Sequence, residues 1–384
     1  MNDVRLGVIM NGVTGRMGTR QHLERSIVAI REAGGITLPD GRRVVVDPIL
    51  VGRNEAKVAE LAHRFGIERW TTDLAQALAN DDDTIYFDSQ TTDRRFHDVA
   101  RAIEAGKHIF CEKPTATSLA DALELARLAK NAGVKAGVVQ DKLFLPGVIK
   151  LKRLLDGGFF GDLVSLRLNF GYWVFEGDWQ PINRPSWNSR KEDGGGLILD
   201  MYPHWQYVLG HLLGPVRSVL CHAQVHIPTR WDESGEQYAA TAEDAAYGMF
   251  RFDDPVFAQF TTSWVTRPYR DEIAEWQLDG TRGSAIAGLR ECRVQSRGTT
   301  PMPVWNPDIP NPIDFRAGWA QVPDNATFDN AFRIQWEMFL AHVVDDANPH
   351  PWDLLEGARG VQLADAAQQS VDERRWVDIP ELTL

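Results

Sequence analysis

The chain is expected to fold as two α/β domains. Residues 1–143 should form a doubly wound parallel sheet, and residues 144–384 an α+β domain with a large, mostly antiparallel open sheet. Three observations carry this expectation. Short apolar strands alternate with helical patterns through the first part of the chain, as in βαβ units. A glycine-rich turn joins the first strand directly to the first helix. In the later part, strands follow one another with turns but no helices between them, which suits an antiparallel sheet.

Residues 5–10, Arg-Leu-Gly-Val-Ile-Met, read as a short buried strand. It runs into Asn11-Gly12-Val13-Thr14-Gly15-Arg16-Met17-Gly18 and then into a helical pattern over 19–33. Strand, glycine turn and helix in that order suit a dinucleotide. The glycines let the backbone approach a pyrophosphate, and the helix start offers free N–H groups and a partial positive charge. The spacing is G-x-x-G-x-x-G rather than the commoner G-x-G-x-x-G. Residues 44–51 form the second strand, which ends in Gly52-Arg53-Asn54. Many NAD-binding folds place an acid there for the ribose 2′-hydroxyl. An arginine can instead hold a 2′-phosphate, so Arg53 favours NADP over NAD.

A helix is expected over 57–65 and a strand over 83–88, which delivers Ser89-Gln90-Thr91. Small polar groups at the carboxyl end of a parallel strand are where such sheets bind ligand. A helix over 95–105 stops at Gly106. The strand 107–111 then delivers Glu112-Lys113-Pro114. A helix over 119–132 closes at Gly133, and the strand 135–139 is followed by Gln140.

In the second part, a helix ends near Asp156, before Gly157-Gly158. A strand over 163–170 runs into Gly171-Tyr172-Trp173. Residues 179–191 are irregular and rich in aromatic and polar side chains, among them Trp179, Arg184, Trp187, Asn188, Arg190 and Lys191. Long aperiodic segments often carry function. Gly194-Gly195-Gly196 precedes Asp200 and His204. Four residues apart, these two lie on one face near a helix start, where Pro203 is tolerated. Strands are expected over 216–226, 245–252, 256–264, 275–279 and 283–287. Residues 301–312 form a proline-rich loop around Trp305, and closing helices cover 332–344 and 354–370.

Composition narrows the classes. At 43% hydrophobic and 24% charged the chain is ordinary for a globular protein. A net charge of −12 argues against nucleic acid and anionic membrane as partners. No apolar run is long enough to span a bilayer, and Met1 to Met10 does not read as a signal peptide. Cys111, Cys221 and Cys292 are odd in number and far apart, which fits a reduced, cytoplasmic protein. No metal is expected.

The two motifs answer each other. Cys111-Glu112-Lys113-Pro114 presents a lysine at a strand end, and the segment from Gly194 to His204 presents an acid and a histidine. With a dinucleotide, such groups can move a proton while a hydride moves. Together with Ala105-Gly106-Lys107-His108 leading into Glu112-Lys113-Pro114, they make nearly the whole chain resemble the glucose–fructose oxidoreductase and inositol dehydrogenase (Gfo/Idh/MocA) family. In relatives a Rossmann domain precedes the antiparallel domain. The segment Thr92-Asp93-Arg94 departs from the Thr-Pro-Asn turn of many of them.

The resemblance implies Lys113, Asp200 and His204 as the catalytic group. It implies cofactor contacts from Gly12, Gly15, Arg16, Met17, Gly18, Arg53, Ser89, Gln90, Thr91, Glu112, Lys113 and Gln140. Substrate would meet Lys142, Tyr172, Trp173, Trp187, Asn188 and Arg190, beside Asp200 and His204. The expected reaction is reversible oxidation of a secondary alcohol of a sugar, polyol or glycoside with NADP or NAD. A homodimer or homotetramer through the open sheet is expected. Three alternatives stay open: a glycosidase that recycles its nicotinamide internally, a sugar sensor without catalysis, and a reductase of amino-acid biosynthesis, which Gly15-Arg16-Met17-Gly18 suggests but the long aromatic second half fits poorly.

Overall fold

The computed structural model describes residues 3–384. Its first sheet contains β1 (Asp3–Asn11), β2 (Ile36–Thr37), β3 (Arg43–Val51), β4 (Arg69–Thr71), β5 (Ile85–Asp88), β6 (His108–Cys111) and β7 (Ala136–Val138). The order is β2-β3-β1-β5-β6-β7, with β4 also paired to β3. Every pair is parallel except β2 with β3. This is the doubly wound sheet that the alternation of strands and helices predicts.

The register decides where the functional residues go. Val51 pairs with Asn11, Asn11 with Asp88, Asp88 with Cys111 and Cys111 with Val138. These five residues form one level row at the carboxyl edge. The chain therefore leaves the sheet at the same edge with Gly52-Arg53, Gly12, Ser89-Gln90, Glu112-Lys113 and Val139-Gln140. In open parallel sheets that edge is where ligands bind.

Side chains alternate between the two faces, as strand geometry requires. Val8, Met10, Phe87 and Phe110 enter one core, with Trp336, Phe339 and Leu340 from the helix Ala331–Val344. Ile9, Tyr86, Ile109 and Cys111 enter the other, with Val99 and Leu125. The contacts divide the chain into two compact units. One holds the residues up to Asp141 with Asp329–Gln362 and Glu381–Leu384; the other holds Lys142–Phe328 and Leu363–Pro380.

In the first unit His350 is buried in an aromatic surround. The rings of Phe339, Trp352 and Phe110 stand edge-on to it at 5.3, 5.5 and 6.0 Å, and the His342 ring is stacked 6.2 Å away. Burial, reinforced by His342, pushes its pKa down to about 4. An unfolded histidine titrates near 6.5. A depressed histidine is neutral when folded, so its contribution to stability is whole above about pH 6.5 and is lost as pH falls toward 4. The loss should approach about 3 kcal/mol. Urea unfolding of His350→Phe should show a shallower decline than the wild type between pH 6.5 and 4.5; equal slopes would refute this origin.

The second unit is built on nine strands: β8 (Leu163–Gly171), β9 (Ser218–Gln224), β12 (Ala245–Arg251), β13 (Phe257–Ser263), β14 (Ala274–Gly280), β15 (Gly283–Ala287), β16 (Cys292–Ser296), β17 (Ala320–Gln321) and β18 (Val377–Asp378). A separate ribbon pairs β10 (Thr229–Trp231) with β11 (Gln237–Ala239). The large sheet runs β17-β16-β15-β14-β8-β13-β12-β9-β18. It is antiparallel throughout except for β8 with β13. Alternate residues of β12 are buried (Ala246, Gly248, Phe250) and exposed (Tyr247, Met249, Arg251). One face thus makes a core with Phe260, Trp276 and Trp205, and the other stays open. The proline-rich segment 301–312 is extended, with Met302 and Trp305 almost fully exposed.

One local expectation is corrected. The helix carrying Asp200 and His204 spans Leu197–Leu213, so Pro203 lies inside it, beyond the first turn. The missing proline N–H leaves a helical carbonyl without its usual donor. The apolar burial of the helix among Trp205, Tyr207, Val208 and Leu212 outweighs that local defect.

Candidate active site

In the first unit the glycine turn is shaped for close approach. Gly12 has φ +84, and a Cβ there would lie 2.7 Å from the Gln90 nitrogen. A Cβ on Gly18 would lie 2.6 Å from the Gly12 carbonyl oxygen. Gly15 meets nothing closer than 3.4 Å, so it is the least constrained of the three. Thr14, Gly15 and Arg16 are exposed, whereas Met17 packs partly against the core. The turn is tied to the next loop: the Ser89 N–H and hydroxyl both donate to the Asn11 carbonyl, at 3.0 and 3.1 Å. The cradle, open backbone and helix start fit a dinucleotide phosphate. Arg53 is exposed beyond β3, beside Asn54, which caps the helix Glu55–Arg64. Thr91 is also exposed, at the start of the helix Thr92–Glu104. Gln140 is buried, its N–H donating to Gln335 Oε1 at 2.5 Å.

The floor below these loops is a buried polar network. Asp88 is fully buried and accepts from the Tyr86 hydroxyl (2.8 Å), Arg95 Nε (3.0 Å), the Gln90 N–H (3.1 Å) and Gln90 Nε2 (3.0 Å). Asn11 donates to the Tyr86 hydroxyl at 2.9 Å. Arg95 also donates to the carbonyls of Gln90 and Pro114. Lys113 therefore sits between a peptide held by Arg95 and Glu112, whose Oε2 accepts the Lys113 N–H at 3.2 Å. Lys113 itself is partly buried. Its neighbour Cys111 is inert, because burial pushes the thiol up to about 12.

In the second unit Gly196 has φ +132 and provides no capping side chain. Glu243 does so instead: its carbonyl accepts the Leu197 N–H at 3.1 Å and its Oε1 the Ile198 N–H at 2.8 Å. Burial nonetheless raises the Glu243 carboxyl above its usual range. The first turn then presents Asp200. Its Oδ2 accepts from Arg184 Nη1 at 2.9 Å. Arg184 also donates to the Tyr172 hydroxyl at 2.6 Å and to Asn188 Oδ1 at 3.2 Å, and lies 4.3 Å over the Trp264 ring. Burial opposes the Arg184 charge, but Asp200 and Tyr172 raise its pKa overall.

One turn on, His204 is buried, with Nδ1 2.6 Å from the Tyr207 hydroxyl. That hydroxyl accepts the Lys142 N–H at 3.2 Å.

The structure thus gathers Tyr172, Asn188 and Asp200 around Arg184, and Lys142 and His204 around Tyr207. Other predicted residues of this unit have further neighbours. Arg190 lies 4.1 Å over Tyr238, and Trp173 lies beneath Arg267 and bonds Glu176. Trp187 is largely exposed. Sequence reasoning missed the parts played by Arg184, Tyr207 and the Asp88–Arg95 pair. Arg184 was legible as a cation in an aromatic loop, but nothing local marks its partner 16 residues away. Among the described residues, no cluster of acids, histidines or cysteines could hold a metal ion, and no helix is long and apolar enough to cross a membrane.

Comparison with known proteins agrees with this division. Residues 8–140 match the model described as "Oxidoreductase family, NAD-binding Rossmann fold", and residues 148–286 match "GFO/IDH/MocA C-terminal domain". The chain is 56% identical to a D-xylose dehydrogenase of Paenarthrobacter nicotinovorans, over 98% of both chains. It is 28% identical to a levoglucosan dehydrogenase of Pseudarthrobacter phenanthrenivorans, over 88% of this chain and 90% of that one. A solved levoglucosan dehydrogenase, in complex with NADH and levoglucosan, superposes with a TM-score of 0.78 at 22% identity, covering 99% of this chain and 100% of that one. A solved NAD binding oxidoreductase from Klebsiella pneumoniae gives 0.79 at 21% identity, covering 98% of this chain and 100% of that one.

Proposed function

Because this chain belongs to the GFO/IDH/MocA oxidoreductase family and carries its NAD-binding Rossmann domain, we propose that it reversibly oxidises a secondary carbinol of a sugar, with D-xylose the first substrate to try. The observation that carries this reading is the 56% identity to a D-xylose dehydrogenase over 98% of the chain. The nicotinamide, when bound, supplies the hydride acceptor. Every other part of the chemistry falls to side chains. His204 takes the hydroxyl proton, as a buried imidazole can near neutral pH. The Lys113 ammonium stabilises negative charge on the reacting oxygen. Asp200, anchored by Arg184, orients the substrate. Gly12 and Gly18 keep the phosphate cradle open, and Arg53 binds a 2′-phosphate, which favours NADP over NAD.

The open face of the nine-stranded sheet, with Tyr247, Met249 and Phe257 exposed, supports a homodimer or homotetramer. Sedimentation of a monomer at micromolar concentration would remove that part. The test of the reaction is absorbance at the reduced-nicotinamide band with NADP or NAD and a panel of sugars, polyols and glycosides. Growth with D-xylose is expected. No growth with any substrate, while nicotinamide co-purifies, would transfer the assignment to internal recycling or sensing. Arg53→Ala should cut kcat/KM for NADP ~10- to 100-fold, the worth of one or two charge-assisted bonds, and leave NAD little changed. Equal losses for both would dismiss its phosphate role.

A further inference from the structure

His22, from the helical segment Gly18–Val28 after the glycine turn, has no solvent exposure. Its Nε2 lies 2.7 Å from Glu112 Oε1. Its other nitrogen, Nδ1, accepts the Trp336 indole N–H at 3.1 Å. The Phe87 ring lies 4.4 Å from it and the Phe332 ring stands edge-on at 5.1 Å. An indole nitrogen can only donate. Nδ1 must therefore carry a lone pair, and the single imidazole proton sits on Nε2, facing the carboxylate. A second proton on Nδ1 would set N–H against N–H in an apolar box. Of the groups facing the ring, Glu112 alone is titratable; Phe87, Phe332 and Trp336 are not. Burial opposes ionisation of Glu112, but the hydrogen bond from His22, above all, holds its carboxyl below the usual range. The second oxygen of that carboxylate accepts the Lys113 N–H at 3.2 Å.

We propose that Trp336 and His22 are positioning residues for Lys113: the indole locks a neutral, Nε2-protonated imidazole, which holds the Glu112 carboxylate against the Lys113 backbone. The chain of bonds runs from Trp336, 314 residues downstream of His22, through His22 and Glu112 to the lysine peptide. The inference rests on Lys113 being catalytic, but its first half is a statement about one tautomer and stands apart from activity.

The experiment uses the full chain labelled with nitrogen-15 histidine, with His22→Gln identifying the His22 signals. The wild type should show Nε2–H and a bare Nδ1 at neutral pH. Trp336→Phe keeps the ring packing but removes the donor, so the Nδ1 signal should lose its hydrogen-bond shift. An Nδ1–H or doubly protonated His22 in the wild type overturns the lock. In kinetics, His22→Leu should lower kcat ~10- to 100-fold with little change in KM for cofactor, the scale of a small misplacement of a reacting group. His22→Gln, which keeps a donor for Glu112 and an acceptor for Trp336, should recover most of it. Unchanged kcat in His22→Leu overturns the positioning role. Should His22→Leu fail to fold, Trp336→Phe and His22→Gln carry the same decision. Should Lys113→Met prove fully active, the functional reading fails while the tautomer result remains intact.

Discussion

Lys113→Met should lower kcat by ~10²- to 10⁴-fold, or about 3–5 kcal/mol in the barrier, with KM for the cofactor little altered. The reason lies in what methionine keeps and what it removes. It keeps an unbranched stem of similar reach, so the partly buried position after β6 (His108–Cys111) still packs. The backbone anchors do not involve the ammonium: Glu112 bonds the Lys113 N–H and Arg95 bonds the Pro114 carbonyl. What disappears, on the proposed reading, is a fixed positive charge at the oxygen that turns anionic as its proton leaves, before hydride transfer makes it a carbonyl. Stopped-flow absorbance would read the step, and circular dichroism with thermal melting would confirm an intact fold. Turnover near that of the wild type would sink the assignment of Lys113.

The largest effect on stability should come from Asp88→Asn. Asp88 and Arg95 form an ion pair at 3.0 Å with side-chain exposures of 0% and 2%. Removing one partner of such a pair typically costs about 3–5 kcal/mol, because the other charge stays buried without compensation. Asparagine also cannot replace the geometry. Four donor contacts converge on the two Asp88 oxygens; the amide has one acceptor and would turn an NH₂ toward other donors. The loss should appear as a lower urea midpoint for the unit that contains the first sheet. Adding Arg95→Met should restore part of it, since the orphaned charge goes too. A loss below about 1 kcal/mol in the single variant would mean that water reaches the guanidinium. Because Arg95 also holds the Pro114 carbonyl, turnover should fall alongside stability.

These two residues differ in how legible they were. Lys113 could be read from the chain because its signal is contiguous: an apolar run, then Glu-Lys-Pro, at the point where a parallel strand ends. Asp88 was read only as the last residue of a strand, and Arg95 only as the start of a helix. Their pairing depends on how a loop folds back over a strand end. The same distinction separates Asp200 from Arg184. The acid is announced by the glycine run and by a helical spacing to His204. Its partner comes from an aperiodic loop, where no period predicts direction. Arg190, from the same loop, lies over Tyr238, a neighbour that no local period predicts. Pro203 failed in a third way. The helix starts at Leu197, earlier than its polar residues suggest, because Glu243 supplies the cap from elsewhere.

The sequence by itself determined the class of each unit, the strand–turn–helix that cradles phosphate, and which residue types leave the carboxyl edge. Those features depend on local periodicity and on backbone freedom, and both are written residue by residue. Only the tertiary structure decided the polar partners: Trp336 for His22, His22 for Glu112, Arg95 for Asp88, Arg184 for Asp200 and Tyr207 for His204. A buried polar group must find a partner, since leaving it unpaired costs about 1–3 kcal/mol. That demand is strong, but it does not say where along the chain the partner lies. Packing makes the choice, and packing is a property of the whole fold.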